Sequence, residues 1–478
     1  MNVADFTCDL AQPSVPLPHF WEHTVGSCHA AMALRADWQK QLSRCRRELG
    51  FNHVRFHNIL SDDMSTLVCE QEKDVYSFFN TDQIFDFLLS IGIHPFIELS
   101  FMPTTLASGG DIVFHYKGNV TPPKDYSAWA TLINKLVTHW VSRYGMEEMT
   151  QCFFEVWNEP NLDAFWKGSQ ADYFKLYEYT VEAIKRVNPV LKVGGPATAN
   201  NAWVKEFLEF CETKNLPADF ISTHHYPTDS FGKPGDDTVT QLAQSRRSVL
   251  REEARLVKEQ ANGKPVYYTE WCTSSNPFDE LHDQPYAAAF IIKTVMEANG
   301  LVEGYSYWTF SDIFDENYFS SVPFHGGFGL LNINGIPKPA YRAFELLHHV
   351  GNELLATEGT HATVDVWVTK KPQCVHVLIS NWALPRHPVD TEPVRITVYN
   401  IGQVRSAYIE RIDDDHANPW KAWIEMSKPE YLTKYAAEQL EAVSALAKQP
   451  MGIRQEHNAV LMEVVLPPQG VACITLEI

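Results

Sequence analysis

The sequence predicts an α/β fold, a (β/α)8 TIM barrel with an accessory β-sandwich domain, on three observations. Between about residues 18 and 350, eight short apolar or β-branched runs alternate with longer stretches of helical period, the pattern of parallel strands joined by crossover helices. After about Gly351 the pattern changes to β-branched segments that alternate with a period of two, as in a sandwich. No G-x-G-x-x-G or Walker sequence follows the first run, so the competing open, doubly wound sheet lacks its usual phosphate loop.

The eight barrel strands are expected at 21–27, 51–57, 93–102, 152–159, 191–195, 220–226, 265–271 and 304–311. Between the second and third, Asn80 with Gln83 can form a capping box, Ile84, Phe87, Leu88 and Ile91 make an apolar stripe, and Gly92 stands where a helix ends. Ser169 with Asp172 opens another helix in the same way. Near 126–144 the residues Trp129, Leu132, Ile133, Leu136, Val137, Trp140 and Val141 form a stripe wide enough to pack on a sheet. The sandwich strands are expected at 362–368, 375–381, 394–400, 460–466 and 470–477, interrupted by helical spacing near 427–448. The expected division is 1–16 joining the sandwich, 17–350 the barrel and 351–478 the sandwich.

The 478 residues are 45% hydrophobic and 21% charged, a globular composition. Thirty-nine basic against 59 acidic residues give a formal charge of -20, which disfavours a nucleic-acid partner because phosphate binding needs clustered positive charge. No apolar run approaches the roughly eighteen residues of a membrane span, and residues 1–12 carry two acidic and no basic side chains, unlike a secretion signal. The nine cysteines are odd in number and dispersed, without Cys-x-x-Cys or other metal-ligand spacing. A cytoplasmic protein with reduced thiols, no membrane partner, no metal and no cofactor is expected.

The most specific segment is Phe153-Phe154-Glu155-Val156-Trp157-Asn158-Glu159-Pro160-Asn161, in which an apolar strand ends on an amide and a carboxylate and proline stops it. The carboxyl ends of barrel strands form the active face, so Asn158 and Glu159 are delivered to the mouth. Val266-Tyr267-Tyr268-Thr269-Glu270-Trp271 ends alike and brings Glu270 to the same mouth. Paired carboxylates among aromatic rings suit glycosidic cleavage, in which one is protonated while the other is ionised. By two-residue alternation His53, Arg55 and His57 share one strand face, and His224 and Tyr226 share another. Arg55 and Tyr226 are candidate donors to an ionised Glu270, and Glu155 reads as a buried ion-pair partner. His225 reads as a packing or loop-support residue. His57 is open between sugar ligand and core histidine, and Trp308 between sugar platform and barrel plug.

Five segments, taken in order, resemble glycoside hydrolase family 39: Val54-Arg55-Phe56-His57 with Leu60-Ser61-Asp62-Asp63-Met64, Trp157-Asn158-Glu159-Pro160-Asn161-Leu162, Ser222-Thr223-His224-His225-Tyr226-Pro227, Tyr268-Thr269-Glu270-Trp271, and Tyr307-Trp308-Thr309-Phe310-Ser311-Asp312-Ile313-Phe314. The resemblance spans essentially the whole chain and implies retention of anomeric configuration through a covalent glycosyl-enzyme. It gives Glu159 the role of general acid/base and Glu270 that of nucleophile, and assigns the sugar 2-hydroxyl to Asn158. His57, His224, Glu316 and Trp308 would hold the rest of the terminal sugar. Asp315 stands where the family commonly carries a longer glutamate, and His225 where a smaller residue is common.

Within the family, β-xylosidase and α-L-iduronidase compete. A uronate substrate needs a nearby cation, and the quoted segments offer only Arg55, so release of β-D-xylose from the non-reducing ends of xylobiose and short xylo-oligosaccharides is the expectation. A barrel that binds carbohydrate without turnover is the rival of another class, and it would have no need of an acid and nucleophile pair. The oligomeric state is open.

Overall fold

The computed structural model describes residues 3–228 and 237–478, so Met1 and Asn2 of the expected N-terminal segment lie outside the described residues. Eight parallel strands close into a barrel in chain order. They are β1 (Thr24–His29), β2 (His53–His57), β3 (His94–Leu99), β4 (Phe153–Val156), β5 (Lys192–Thr198), β6 (Phe220–His224), β7 (Val266–Trp271) and β8 (Gly304–Tyr307). Each expected run contains or overlaps one strand; β7 runs through Glu270 to Trp271 as expected, whereas the fourth and eighth stop short of the mouth. β4 ends at Val156 and β8 at Tyr307. Asn158, Glu159 and Trp308 therefore stand on the loops that leave the barrel.

Helices cover the outside. In Tyr126–Met149 the expected stripe is buried from Trp129 to Trp140, and Val141 is half-buried. Ser169 and Asp172 form the expected capping box of Gln170–Val187. The box expected of Asn80 and Gln83 is absent. That helix begins at Phe79 without a side-chain cap, which places Asn80 inside its first turn, where its amide donates to the Met64 carbonyl at 3.2 Å. Phe85, rather than Phe87, is the phenylalanine of that helix that is buried. Gly92 follows the helix with φ 71°, a left-handed conformation that glycine adopts at no steric cost.

Beyond the barrel, two further sheets pack face to face. One has five strands in the order Thr357–Glu358, Ala4–Asp9, Glu392–Tyr399, Ala459–Leu466, Arg454–Glu456. The other has seven, from Val15–Pro16 and Glu353–Leu355 through Val364–Lys371, Cys374–Asn381 and Gly470–Glu477 to Ser406–Ile412 and Gln449–Pro450. Their inner faces meet in an aliphatic core of Val366, Val377, Ile396, Met462 and Ile474 among others. Two helices, Pro419–Glu425 and Lys434–Ser444, leave this sandwich. Trp423 and Leu440 on them pack on Phe324 and Ile336 of the loop that follows β8. No helix among the described residues is long and apolar enough to cross a membrane.

Candidate active site

Strand alternation builds the barrel interior in layers. At the amino ends, His53, Phe96, Phe153, Phe220 and Tyr267 form a plug of packed rings, with Phe96 stacked on Phe153 at 5.1 Å. Two residues further along the same strands, the layer consists of Arg55, Glu98, Glu155, Ser222 and Thr269, all essentially without solvent contact. Arg55 is its hub. Its Nε donates to Glu155 at 2.6 Å, one terminal nitrogen to Glu270 at 2.7 Å, and the other to Asn158 Oδ1 at 2.9 Å, with Glu98 2.8 Å away. Three carboxylates around one guanidinium hold it firmly cationic, its pKa pushed above the usual arginine range by Glu155, Glu98 and Glu270 against burial.

Glu270 reaches this layer through an irregularity. The β6–β7 register pairs Thr223 with Tyr268 but His224 with Glu270, so Thr269 is an extra residue. Such a bulge re-aims the side chains beyond it, and Thr269 and Glu270, adjacent in sequence, both bond inside the barrel, to Glu155 and to Arg55. Besides Arg55, Glu270 accepts a hydrogen bond from the Tyr226 hydroxyl at 2.9 Å. Burial and the neighbouring carboxylates push the Tyr226 phenol well above its usual value, so it remains a donor. Two donors, one of them cationic, thus hold the Glu270 carboxyl in place.

Glu159 arrives by left-handed backbone at Trp157 (φ 72°) and at Glu159 itself (φ 43°). Its amide donates to the Ala197 carbonyl at 2.8 Å. Asn161 clamps the turn by exchanging two hydrogen bonds with the Ala199 backbone, while buried Trp157 packs outward against Phe101, Trp129 and Trp166. The Glu159 carboxyl faces His224 Nδ1 at 2.9 Å, and that nitrogen is 3.6 Å from Glu270. Burial, then Arg55 and His57, push His224 well below its usual pKa, leaving it neutral. One donor atom each of Glu159, His224 and Glu270 lies within 4.8 Å of the others. Cys28, His29 and Asp315 form a second such group, the other convergence among the described residues that could hold a metal ion. At Glu270, Arg55 already supplies the positive charge, and the His29 ring stands between Asp315 at 2.9 Å and Asp63 at 3.4 Å.

The two carboxyls open on a cavity of about 340 Å³, lined by His57, Asn158, Tyr226, Trp308 and Glu316 with apolar Phe114, Leu162, Phe165, Pro277 and Phe328. His57 is fixed by Glu98 at 2.6 Å through Nδ1, and its Nε2 lies 3.7 Å from Glu270 and 3.6 Å from Glu316. Burial and the charges of Glu270 and Glu159 push Glu316 well above the usual carboxyl range. Trp308 lies over Gly26 so closely that a Cβ there would meet its Cε3 at 2.5 Å, and it also lines the cavity. It is plug and wall together. His224 touches the cavity only through the two glutamates. His225 stands outside, 3.5 Å from Asn201, and burial lowers its pKa to about 4. Asp315 turns away to His29 and Cys28. Sequence reasoning passed over Glu98 and Thr269, although the alternation that selected Arg55 also selects Glu98 two residues after Phe96.

The sequence profile of glycosyl hydrolases family 39 matches residues 6–456. The chain belongs to that family. A β-xylosidase of Caldicellulosiruptor saccharolyticus is 49% identical over 467 residues, 96% of this chain and 95% of the relative. A β-xylosidase of Geobacillus stearothermophilus is 34% identical over 484 residues, covering 96% and 92%. The crystal structure of a monomeric β-xylosidase from Caulobacter crescentus CB15 superimposes with a TM-score of 0.88 at 33% identity, over 99% of each chain. The family 39 chain described here thus presents two glutamates at the barrel mouth, with Arg55 at the centre of their support.

Proposed function

We propose that this family 39 enzyme is a retaining, exo-acting β-xylosidase that releases β-D-xylose from the non-reducing ends of xylobiose and short xylo-oligosaccharides. The observation that carries the reading is the close, unequal pair of carboxyls: oxygens of Glu159 and Glu270 within 4.8 Å, with Arg55 and Tyr226 both committed to Glu270. Retaining pairs stand about 5–5.5 Å apart, whereas inverting pairs leave room for a water at roughly 6.5–9.5 Å. Ionised Glu270 attacks the anomeric carbon, and the glycosidic C–O bond breaks as protonated Glu159 gives its proton to the leaving oxygen. Glu159 then takes a proton from water, whose oxygen displaces Glu270 and restores both groups. Asn158, whose carbonyl accepts from Arg55, turns its NH2 donors to the sugar 2-hydroxyl. His57, Trp308 and Glu316 bind the remaining sugar face, Tyr226 orients Glu270, and His224 acts through the glutamates.

A neutral pentose suits the cavity better than a uronate, because no lysine or arginine is among its lining residues in the described chain while Glu316 is. The 1–16, 17–350 and 351–478 division is proposed with it, supported by strands Ala4–Asp9 and Val15–Pro16 that pair with sandwich strands. A cytoplasmic site, with no nucleic-acid or membrane partner, is supported by nine unpaired thiols and a charge of -20. Turnover of p-nitrophenyl β-D-xylopyranoside beside 4-methylumbelliferyl α-L-iduronide tests the reading. The xyloside is cleaved, and Glu270→Ala lowers kcat by roughly 10⁴-fold or more. Glu159→Ala slows the cleavage of xylobiose more than that of the nitrophenyl substrate. Cleavage of the iduronide alone replaces the substrate, and inactivity on both favours a binding barrel.

A further inference from the structure

A chain of hydrogen bonds runs behind the two glutamates, and each of its links restricts the next. It starts at Glu155, whose Oε2 accepts from Arg55 Nε at 2.6 Å. Its Oε1 accepts from the Thr269 hydroxyl at 2.7 Å. The hydroxyl oxygen then faces His224 Nε2 at 3.0 Å, and His224 Nδ1 faces Glu159 Oε1 at 2.9 Å. Thr269 has a single hydroxyl hydrogen, and a neutral imidazole has a single N–H. If the threonine hydrogen goes to Glu155, its oxygen must accept from Nε2, and Nδ1 is left as a bare acceptor. A hydrogen bond from Glu159 to Nδ1 then requires the proton to be on Glu159.

We propose that Thr269 and Glu155 are positioning residues for the acid/base, acting through the chain Glu155–Thr269–His224–Glu159 to fix the His224 proton on Nε2 and so hold the proton on Glu159. This rests on the role of Glu159 given above. The opposite order, with the proton on Glu155 and Nδ1–H donating to Glu159, uses the same four groups and the same number of protons. Burial leaves the Glu155 carboxyl raised above its usual range in spite of Arg55, and it is the geometry that selects the first order, because both Glu155 oxygens accept, one from Arg55 Nε at 2.6 Å and the other from the Thr269 hydroxyl at 2.7 Å. The chain serves both halves of the reaction. Before cleavage a lone pair on Nδ1 favours the neutral acid, and once the proton has left, the same lone pair faces a carboxylate and makes it a stronger base toward water. Among the described residues, the other charged or titratable groups facing Glu159 and the rest of the chain include Glu270, Glu316, Tyr226, His57, Arg55 and Glu98, and the substitution at Thr269 alters none of them.

Thr269→Val keeps the shape and removes the hydroxyl, freeing His224 to carry its proton on Nδ1 and donate to an ionised Glu159. For xylobiose, whose departing sugar needs a proton, the alkaline limb of kcat/KM moves down by about one pH unit, so that activity above pH 7 falls about tenfold. For 2,4-dinitrophenyl β-D-xylopyranoside, whose phenolate leaves without a proton, kcat/KM stays within about threefold. Thr269→Ser, which keeps the hydroxyl, restores the wild-type limb. Equal losses on the two substrates, or an unmoved limb, overturn the proposal. Nitrogen-15 spectra of histidine-labelled wild type, with His224 assigned from His224→Asn, read the tautomer without relying on the valine variant. A proton on Nε2 is expected, and a proton on Nδ1 overturns the proposal. A wild type inactive on both xylosides would instead remove the reading of function, and the tautomer would still be measurable.

Discussion

Two layers inside one barrel, a single alternation step apart, are built from opposite chemistry. The plug of His53, Phe96, Phe153, Phe220 and Tyr267 consists of rings. The layer above it, Arg55, Glu98, Glu155, Ser222 and Thr269, is charged or hydroxylated and drier still. The rings contribute apolar burial, which stabilises the fold directly. The charged layer repays its desolvation only through the contacts around Arg55. Its return is orientation, since the same side chains that satisfy Arg55 aim Glu270 and Asn158 at the cavity. One alternation step thus separates the residues that hold the barrel from those that prepare its chemistry.

Substitutions can break this contrast. In the charged layer, Arg55→Met leaves Glu98, Glu155 and Glu270 without their common cation. The expected cost is about 3–5 kcal/mol in denaturant unfolding, together with a loss of kcat beyond roughly a hundredfold, since Glu270 also loses its charged donor. In the ring layer, Phe153→Ala opens a cavity and costs about 3–5 kcal/mol, yet kcat at a temperature where the variant is folded stays within about threefold of wild type. Comparable kcat losses in the two variants would erase the distinction between the layers.

The smallest effect is pH-dependent. Burial among the rings pushes His53 down to about 4, against two carbonyl acceptors that pull it up. A histidine lowered in the folded state contributes stability above its unfolded value, near 6.5, and loses that contribution as pH falls toward 4, because the unfolded chain binds the proton first. His53→Gln flattens the dependence of Tm on pH between about 6.5 and 4, a window worth on the order of 2–3 kcal/mol, with kcat unchanged. An unaltered slope would show that His53 does not titrate differently in the two states.

The sequence carried the barrel because its signals are local: eight short runs, helical stripes and a capping box at Ser169 are each contained in a few residues. It carried Glu159 and Glu270 as strand-end carboxylates, and Arg55 by alternation. Strict alternation, however, puts Glu270 on the outer face with Tyr268, and only the extra residue at Thr269 turns it inward. The left-handed turn at Trp157 and Glu159 is likewise held by contacts with Ala197 and Ala199 on the neighbouring strand and its loop, far away in sequence. Ser406–Ile412 escaped notice because Glu410 and Arg411 interrupt its apolar alternation, although Glu410 is buried once the strand is seated beside Gly470–Glu477. Asn80 failed as a cap because the helix begins at Phe79 and the side chain is taken by the Met64 carbonyl. Features set by pairing between distant segments were the ones that could not be read in advance.

The central claim is that the Arg55 layer prepares Glu270, and not Glu159, to bond the sugar. Incubating the enzyme with 2,4-dinitrophenyl 2-deoxy-2-fluoro-β-D-xylopyranoside, which slows both steps while its leaving group still permits the first, and mapping the modified peptide by mass spectrometry tests this directly. The account predicts one fluoroxylosyl group per chain, in ester linkage to Glu270. A label on Glu159 or on any other side chain, or steady turnover with no label at all, would contradict it.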